Sequence, residues 1–274
     1  MMVKGVGVGF RLDFVGQEEL VRQHVDFLEY SQKRALEAVK RELGPFIGQI
    51  PIVVHSLNLS LGSIEAPADY RVEALKQTAD LVDAPWVSEH LSYSRSGDME
   101  IDNFIALPYT DEAIDVVVGH IVALKQTLGR PILLENVTHS FVWPGSVYTE
   151  GEFIRRVLEK ADCGLLLDVT NLFLNAETIG YDPLSFLHAI PRDRVLQLHV
   201  AGHTEQNGEL YDSHVGGIDP KVLALTEWVM NNTTCEAITI ERDTDMESFE
   251  DVLQDLNLCR AIYNKYRNAS APAV

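Results

Sequence analysis

The sequence is poor in positive charge. It carries 22 lysine and arginine residues against 41 aspartate and glutamate residues, for a formal net charge of −19. Proteins that follow nucleic-acid phosphates present a basic face, so this balance argues against a direct nucleic-acid binder. Acidity is compatible with plain solubility, and equally with a cavity of carboxylates that a bound cation neutralises. Composition alone does not choose between the two.

The sequence also lacks any run of about 18 apolar residues, and its start, MMVKGVGVGFRLDF, lacks the apolar stretch of a signal peptide. We therefore expect neither a membrane protein nor a secreted one.

Cysteine is scarce as well: Cys163, Cys235 and Cys259 have no CxxC spacing and lie beside apolar residues. This usage predicts reduced core cysteines in a cytoplasmic protein.

Short apolar segments recur along the chain, with helical patterns between them. The candidate strands are 5–10, 25–30, 51–57, 86–93, 131–137, 164–170, 195–200 and 237–242, and the candidate helices are 32–43, 70–81, 110–128, 150–161, 220–230 and 246–266. The stretch 171–190 is less regular, because Pro183 interrupts it.

This alternation favours parallel βα units, and the apolar runs PIVV, PILL and GLLL are typical of strands covered on both faces. We predict one (β/α)8 TIM-type barrel over residues 1–267, followed by a disordered tail at 268–274. A doubly wound open sheet is the second choice.

Six of the candidate strands end in residues that can bind a metal: His55, Glu89 and His90, Glu135 and Asn136, Asp168, His199, and Glu241. In a barrel, the carboxyl ends of all strands open on one face, so these side chains are expected to converge. Carboxylates buried together need a positive charge, and imidazoles mixed with carboxylates suit divalent transition metals. The candidates exceed one coordination sphere, which predicts two or three ions bridged by carboxylates. Without thiolates, iron or manganese is favoured at least as much as zinc.

The polar segment after His199 contains further candidates. Asp212 and His214 are two positions apart, so an extended loop would project both to one side, over the barrel mouth. His203 is a candidate for orienting a ligand or meeting the substrate.

The motifs GVGVGFR, VVHSLNLSLGS, VSEHLSYS, LLENVTHSF, LLLDVTN, LHVAGH, DSH and IERDTDM occur in this order along nearly the whole chain. Together they resemble the multinuclear non-heme iron-dependent oxidative enzymes, a family once labelled a domain of unknown function that includes the methanobactin biosynthesis oxygenase. The resemblance implies a xylose-isomerase-like barrel that binds two or three irons. It also implies that dioxygen is used to remodel cysteine, or other residues, in a ribosomally made precursor peptide. A partner protein that captures the leader peptide is usual in the family.

By position, the resemblance implies these metal ligands: His55, His90, Glu135, Asp168, His199, Asp212, His214 and Glu241. It implies Asn136 and Asn171 as ligands or as residues that orient ligands. Asp243 is a candidate for proton transfer or substrate orientation, or else a loop-surface residue. The segment LEYSQKRA departs from many relatives, which carry an asparagine shortly after the glutamate corresponding to Glu29, so no ligand is assigned there.

Two other functions stay open. A divalent-metal sugar isomerase or phosphodiesterase on a similar barrel would use the same ligand types without redox chemistry, and iron content and oxygen consumption distinguish it. A non-catalytic metal-binding partner of a peptide-modifying complex is the second. The ligand-type residues at six strand ends argue against a scaffold, because such a cavity is costly to leave empty.

Overall fold

The computed structural model describes residues 3–97, 99–243, 246 and 248–268, apart from the side chains at 102 and 268. Within these residues, eight parallel strands close into a barrel: β1 (Gly5–Gly9), β2 (Leu28–Gln32), β3 (Ile52–Ser56), β4 (Val87–His90), β5 (Ile132–Glu135), β6 (Gly164–Asp168), β7 (Val195–Ala201) and β8 (Ala237–Glu241). Each strand pairs with its neighbours in chain order, and β1 closes the barrel against β8. The predicted barrel is confirmed and the open sheet is excluded. The predicted tail lies outside the described residues, except for the backbone of residue 268.

Helices cover the outside of the barrel. They are α1 (Glu18–His24), α2 (Leu36–Leu43), α3 (Asp69–Leu81), α4 (Asp111–Leu128), α5 (Glu150–Ala161), α6 (Val169–Ile179), α7 (Pro183–Ala189), α8 (Pro220–Asn232) and α9 (Leu253–Tyr263). Side-chain caps mark several starts: Ala113 N–H donates to Thr110 Oγ1 at 3.3 Å, and Lys221 N–H donates to Asp219 Oδ1 at 2.6 Å. The helical spacing in the sequence therefore predicts most of this outer layer.

Three stretches differ from expectation. The segment 32–43 is helical only from Leu36, because Gln32 completes β2. The segment 246–266 becomes α-helical only at Leu253, after a 3-10 turn. The stretch 171–190 forms α6 and α7, and the break falls where Pro183 takes the first position of α7.

The barrel interior is layered because alternate residues of each strand point inward. An apolar cluster, distinct from the larger one between barrel and helices, forms its floor: Val3, Phe27, Val53, Trp86, Leu133, Leu166 and Ala237. Two residues further along the same strands, the inward positions hold polar side chains: Glu29, His55, Ser88, Glu135, Asp168 and Thr239. The strand period therefore places a polar layer directly above an apolar floor.

Gly7 in β1 is required by this packing. A Cβ atom at this position would lie 2.6 Å from the carbonyl oxygen of Phe27 and 2.7 Å from its ring. The absent side chain therefore makes room for the ring that fills the floor.

Two hairpins extend beyond the carboxyl ends of the strands. The first pairs Ser92–Ser96 with Met99–Ala106, and the second pairs Thr204–Gln206 with Glu209–Tyr211. The sequence analysis ended its candidate strand at residue 93 and assigned no strand at 94–106, and it expected a loop in the second place. The second hairpin turns at Asn207 and Gly208, whose φ angles are 54° and 83°. Asn-Gly is a strong hairpin signal, so this element was visible in the sequence.

The three cysteines are buried free thiols, as predicted, and burial raises the pKa of each to about 12. They pack as small apolar side chains.

Across the described ranges, we find no helix with the length and apolar character needed to cross a bilayer.

Candidate metal centre

The predicted ligands meet at the carboxyl end of the barrel. Strand register places His90 beside Glu135 and Asp168 beside His199. His55, Glu135, Asp168 and His199 are each 2% exposed or less. Carboxylates and imidazoles this deeply buried need partners of opposite charge.

Two groups of side chains bring one potential ligand atom each to within 4.8 Å of one another among the described residues. Group A is His55, His90 and Glu135, and group B is Glu135, Asp168, His199 and Glu241. Glu135 Oε2 lies 3.2 Å from His55 Nε2 and 3.5 Å from His90 Nε2, and Glu135 Oε1 lies 3.1 Å from His199 Nδ1. One carboxylate thus turns one oxygen toward each group, which is the arrangement of a bridging ligand.

Several buried atoms in and beside these groups lack a hydrogen-bond partner. In the part of the chain that the structure describes, Glu135 Oε2, Asp168 Oδ2 and Asn171 Oδ1 accept no hydrogen bond. Buried polar atoms are seldom left unpaired, and a cation supplies the partner that such oxygens lack. Nitrogen and oxygen donors of this kind suit divalent transition ions, so the residues present fit a metal centre.

Burial and the neighbouring charged side chains together set the protonation of the residues in groups A and B. Burial raises the pKa of Asp168 well above its usual value, and the neighbouring Asp212 adds to the effect. Burial opposes ionisation of Glu135, but the surrounding imidazoles, His199 first, outweigh it and lower its pKa to about 2. Burial also opposes a charge on His199, yet Glu241 and other carboxylates raise its pKa well above its usual value. A cation that binds here would therefore displace protons held by Asp168 and His199.

Asp212 and His214 lie next to group B. His214 Nε2 is 3.1 Å from Asp212 Oδ1 and 3.7 Å from Glu241 Oε2. The backbone at His214 has φ of 51°, so the loop is not extended there as the two-residue spacing predicted. A left-handed turn brings the two side chains together instead.

Asp243 lies on the opposite side of the His214 ring. Its Oδ2 is 3.1 Å from His214 Nδ1, and its other oxygen pairs with Arg11. Its N–H donates to the carbonyl of His214 at 3.1 Å. Asp243 therefore contacts an imidazole beside group B and has no contact with group A that the structure records.

The two predicted asparagines hold Asp168. Asn136 Nδ2 donates to the Asp168 carbonyl, and Asn136 Oδ1 accepts from the Asp168 N–H, both at 2.9 Å. Asn171 N–H donates to Asp168 Oδ1 at 2.7 Å, which caps α6. The side chain of Asn136 is thus engaged in orienting Asp168, whereas Asn171 Oδ1 accepts no hydrogen bond from the described residues.

Two buried glutamates lie outside the ligand set that the resemblance implied, although Glu89 was among the strand-end candidates. Glu29 Oε1 lies 2.7 Å from His199 Nε2, and its exposure is 1%. Glu89 accepts a hydrogen bond from Ser56 Oγ at 2.8 Å and lies 3.5 Å from His90 Nδ1. A charged residue inside the apolar run VDFLEY was the available signal for Glu29.

The two groups lie at the base of a cavity of 1720 Å³ that both hairpins help to line. Phe104 of the first hairpin stacks on His90, with ring centroids 3.7 Å apart and planes 15° apart. His203 also lines the cavity and packs against Phe173, with centroids 5.4 Å apart. Small-molecule sites measure roughly 300–1,000 Å³, so this cavity has room for a larger ligand.

A family model described as "RiPP precursor modification enzyme MbnB/TglH/ChrH" matches residues 5–264. The chain belongs to this family. The resemblance drawn from the motifs is thereby confirmed. Among curated relatives, a UPF0276 protein of Caulobacter vibrioides is 32% identical over 276 residues, covering 98% of each chain. A UPF0276 protein of Acinetobacter baylyi is 31% identical over 258 residues, covering 92% of this chain and 89% of its own.

Solved structures resemble this member of the family in fold. A D-tagatose 3-epimerase-like protein superposes with a TM-score of 0.63 at 15% identity, over 97% of this chain and 100% of the other. An L-ribulose 3-epimerase superposes with a TM-score of 0.58 at 14% identity, over 100% of both chains. At such low identity the likeness concerns the barrel alone.

Proposed function

We propose that the protein is an iron- and dioxygen-dependent enzyme that oxidatively modifies a cysteine, or another residue, in a ribosomally synthesised precursor peptide. One observation carries this proposal: Glu135 is shared by two groups of buried metal-ligand side chains at the base of a large cavity. The family description supports a precursor peptide as the substrate.

Groups A and B would each hold one ion, with Glu135 between them. Asp212 and His214, beside Glu241, would complete group B or hold a third ion, which accounts for the proposed count of two or three. Bound iron would supply the activation of dioxygen and would favour a coordinating thiolate over a thiol.

The other residues of the cavity would bind and orient the peptide. Asp243 is 44% exposed and faces His214, a position suited to holding a proton or orienting the substrate. The His203 ring lines the cavity beside Phe173, where it would contact a bound peptide. Phe104 covers one face of His90 and would leave the peptide to approach from the open side.

Binding of the precursor would require a second protein. The chain has a formal net charge of −19, so a neutral or acidic leader peptide gains little from electrostatic steering. We propose that a separate leader-binding protein docks beside the barrel and raises the effective concentration of the core cysteine at the metal centre.

Mass spectrometry of the precursor peptide encoded beside the gene tests this function. The enzyme is reconstituted anaerobically with Fe(II) and then mixed with the precursor, the proposed partner and dioxygen. A mass change with wild type and with Glu42→Gln, but not with Glu135→Gln, is expected. Glu42 is a matched control because it is buried but pairs with Tyr30 and Arg34, away from the metal groups.

Three outcomes would contradict parts of the proposal. A product formed with Zn(II) in place of iron, or without dioxygen, would exclude oxidative chemistry. Equal turnover of a Cys→Ser precursor would exclude thiolate binding. Equal rates without the second protein would exclude the need for a partner.

A further inference from the structure

We propose that Glu29 is a positioning residue of the metal centre: together with Trp86 and Gln197 it keeps a proton on His199 Nε2, so that Nδ1 is the atom that binds the group B ion. The inference rests on the proposed function in one respect, since it requires that group B holds an ion. It assigns a role to a glutamate that the sequence motifs left without one.

The orientation of the Gln197 amide is fixed from the barrel floor. Trp86 Nε1–H donates to Gln197 Oε1 at 2.7 Å, and both side chains are buried. An indole nitrogen only donates, so the atom that faces it must be the amide oxygen. The usual ambiguity between amide oxygen and nitrogen is therefore removed, and the NH₂ group of Gln197 points toward Glu29.

Glu29 is then surrounded by donors. Gln197 Nε2 donates to Glu29 Oε2 and also to Thr239 Oγ1, the latter at 2.9 Å. The Thr239 hydroxyl in turn donates to Glu29 Oε2 at 3.0 Å. Both of these hydrogen bonds end on Oε2, so Oε1 is the oxygen left to face His199.

The carboxylate decides which nitrogen of His199 carries the proton. Glu29 Oε1 lies 2.7 Å from His199 Nε2, the distance of a hydrogen bond in which Nε2–H donates to the carboxylate. A metal-binding imidazole keeps a single N–H, so an ion in group B would leave the proton of Nε2, which faces Glu29, and displace the proton of Nδ1. That nitrogen lies 3.1 Å from Glu135 Oε1 and 3.0 Å from Glu241 Oε2, inside group B. Carboxylates that hold the remote N–H of a metal-binding histidine are a common device for fixing its tautomer.

His55 in group A is arranged in the opposite way. Its Nδ1 is 2.9 Å from Ser88 Oγ, and its Nε2 faces Glu135. A hydroxyl can donate or accept, so Ser88 fixes the tautomer less strictly than Glu29 does. Removing the Glu29 carboxylate should therefore affect group B and leave group A unchanged.

Zn(II) binding by the full chain, measured by competition with a chelator, tests the role of Glu29. In Glu29→Gln, one oxygen and one NH₂ group replace two acceptors, so the three donors cannot all be satisfied. We expect affinity at group B to fall by about 10- to 100-fold, with group A unchanged. Trp86→Phe keeps an aromatic ring in the floor but releases Gln197, and a smaller loss at group B is expected. Glu42→Gln should match wild type.

Long-range ¹H–¹⁵N spectra of the histidine rings in Zn(II)-loaded wild type give an independent result that does not depend on a variant's folding. The His199 signals, identified by their loss in His199→Asn, should show a protonated Nε2 and a metal-bound Nδ1. A metal-bound Nε2, or unchanged group B affinity in both Glu29→Gln and Trp86→Phe, would overturn this inference alone. Failure of wild type to bind either Zn(II) or Fe(II) would overturn the proposed function with it.

Discussion

Glu135→Ala should remove both ions, whereas His55→Ala should remove only one. Glu135 supplies an oxygen to each group, and alanine supplies neither. His55 belongs to group A alone, so its loss leaves the group B ligands intact. The contrast between the two variants separates a bridging carboxylate from one that serves a single ion.

The size of the effect on the ion-free protein follows from the charges around Glu135. Burial disfavours its ionisation, but imidazoles led by His199 lower its pKa from 4.5 to about 2. This difference corresponds to about 3 kcal/mol of unfolding free energy. Because the folded pKa is lowered, the contribution is complete above pH 4.5 and is lost as the pH falls toward 2. Glu135→Gln should therefore lower the stability of the ion-free protein at pH 7 by up to about 3 kcal/mol.

Two measurements check this prediction. Elemental analysis after anaerobic reconstitution with Fe(II) gives the ion count, and urea denaturation of the ion-free proteins at pH 7 gives the stability difference. Retention of one ion by Glu135→Ala would show that the carboxylate serves a single site. Equal stability of ion-free Glu135→Gln and wild type would show that the imidazoles do not stabilise the carboxylate as described.

Three further predictions concern other parts of the molecule. Gly7→Ala should destabilise the protein by about 1–3 kcal/mol in urea denaturation, because its Cβ would overlap Phe27. Gly119 is exposed in α4 and has open space around it, so Gly119→Ala should instead stabilise the protein by about 0.5–1 kcal/mol. Burial raises the pKa of Glu150 to about 8, so the wild-type fold should lose stability as the pH rises from 4.5 to 8. Glu150→Gln should abolish this pH dependence and be more stable than wild type at pH 8 by up to about 5 kcal/mol. Parallel stability–pH profiles of the two proteins would refute this prediction. His203→Ala should leave the ion count unchanged and lower kcat/KM about tenfold, because the ring lines the cavity and would contact the peptide. A lower ion count would instead assign His203 to the metal centre.

The sequence predicts the barrel and much of the candidate site for the same reason. Apolar strands alternate with amphipathic helices, and parallel strands around a barrel present their carboxyl ends on one face. Residues at those ends, such as His90, Glu135 and Asp168, therefore meet whatever their separation along the chain. No tertiary detail is needed for that inference.

Glu29 shows where this reasoning fails. It is the second residue of β2, and it is Ser31 that pairs in register with His55. The depth of a side chain inside the barrel depends on the stagger between strands, which the sequence does not state. That stagger brings Glu29 to within hydrogen-bond distance of His199, on a strand far along the chain.

The loop residues were predicted with the right neighbours but the wrong geometry. Asp212 and His214 do meet, although a left-handed backbone at His214 brings them together and not an extended strand. The second hairpin was missed because the polar residues around it carry no apolar alternation. Its Asn207–Gly208 turn was the one local signal available.

Anomalous diffraction at the iron edge, from crystals reconstituted anaerobically with Fe(II), tests the central claim most directly. The account predicts one peak among His55, His90 and Glu135 and a second among Glu135, Asp168, His199 and Glu241, with any third peak beside Asp212 and His214. A single peak, or a lone zinc ion with no iron after reconstitution, would contradict it.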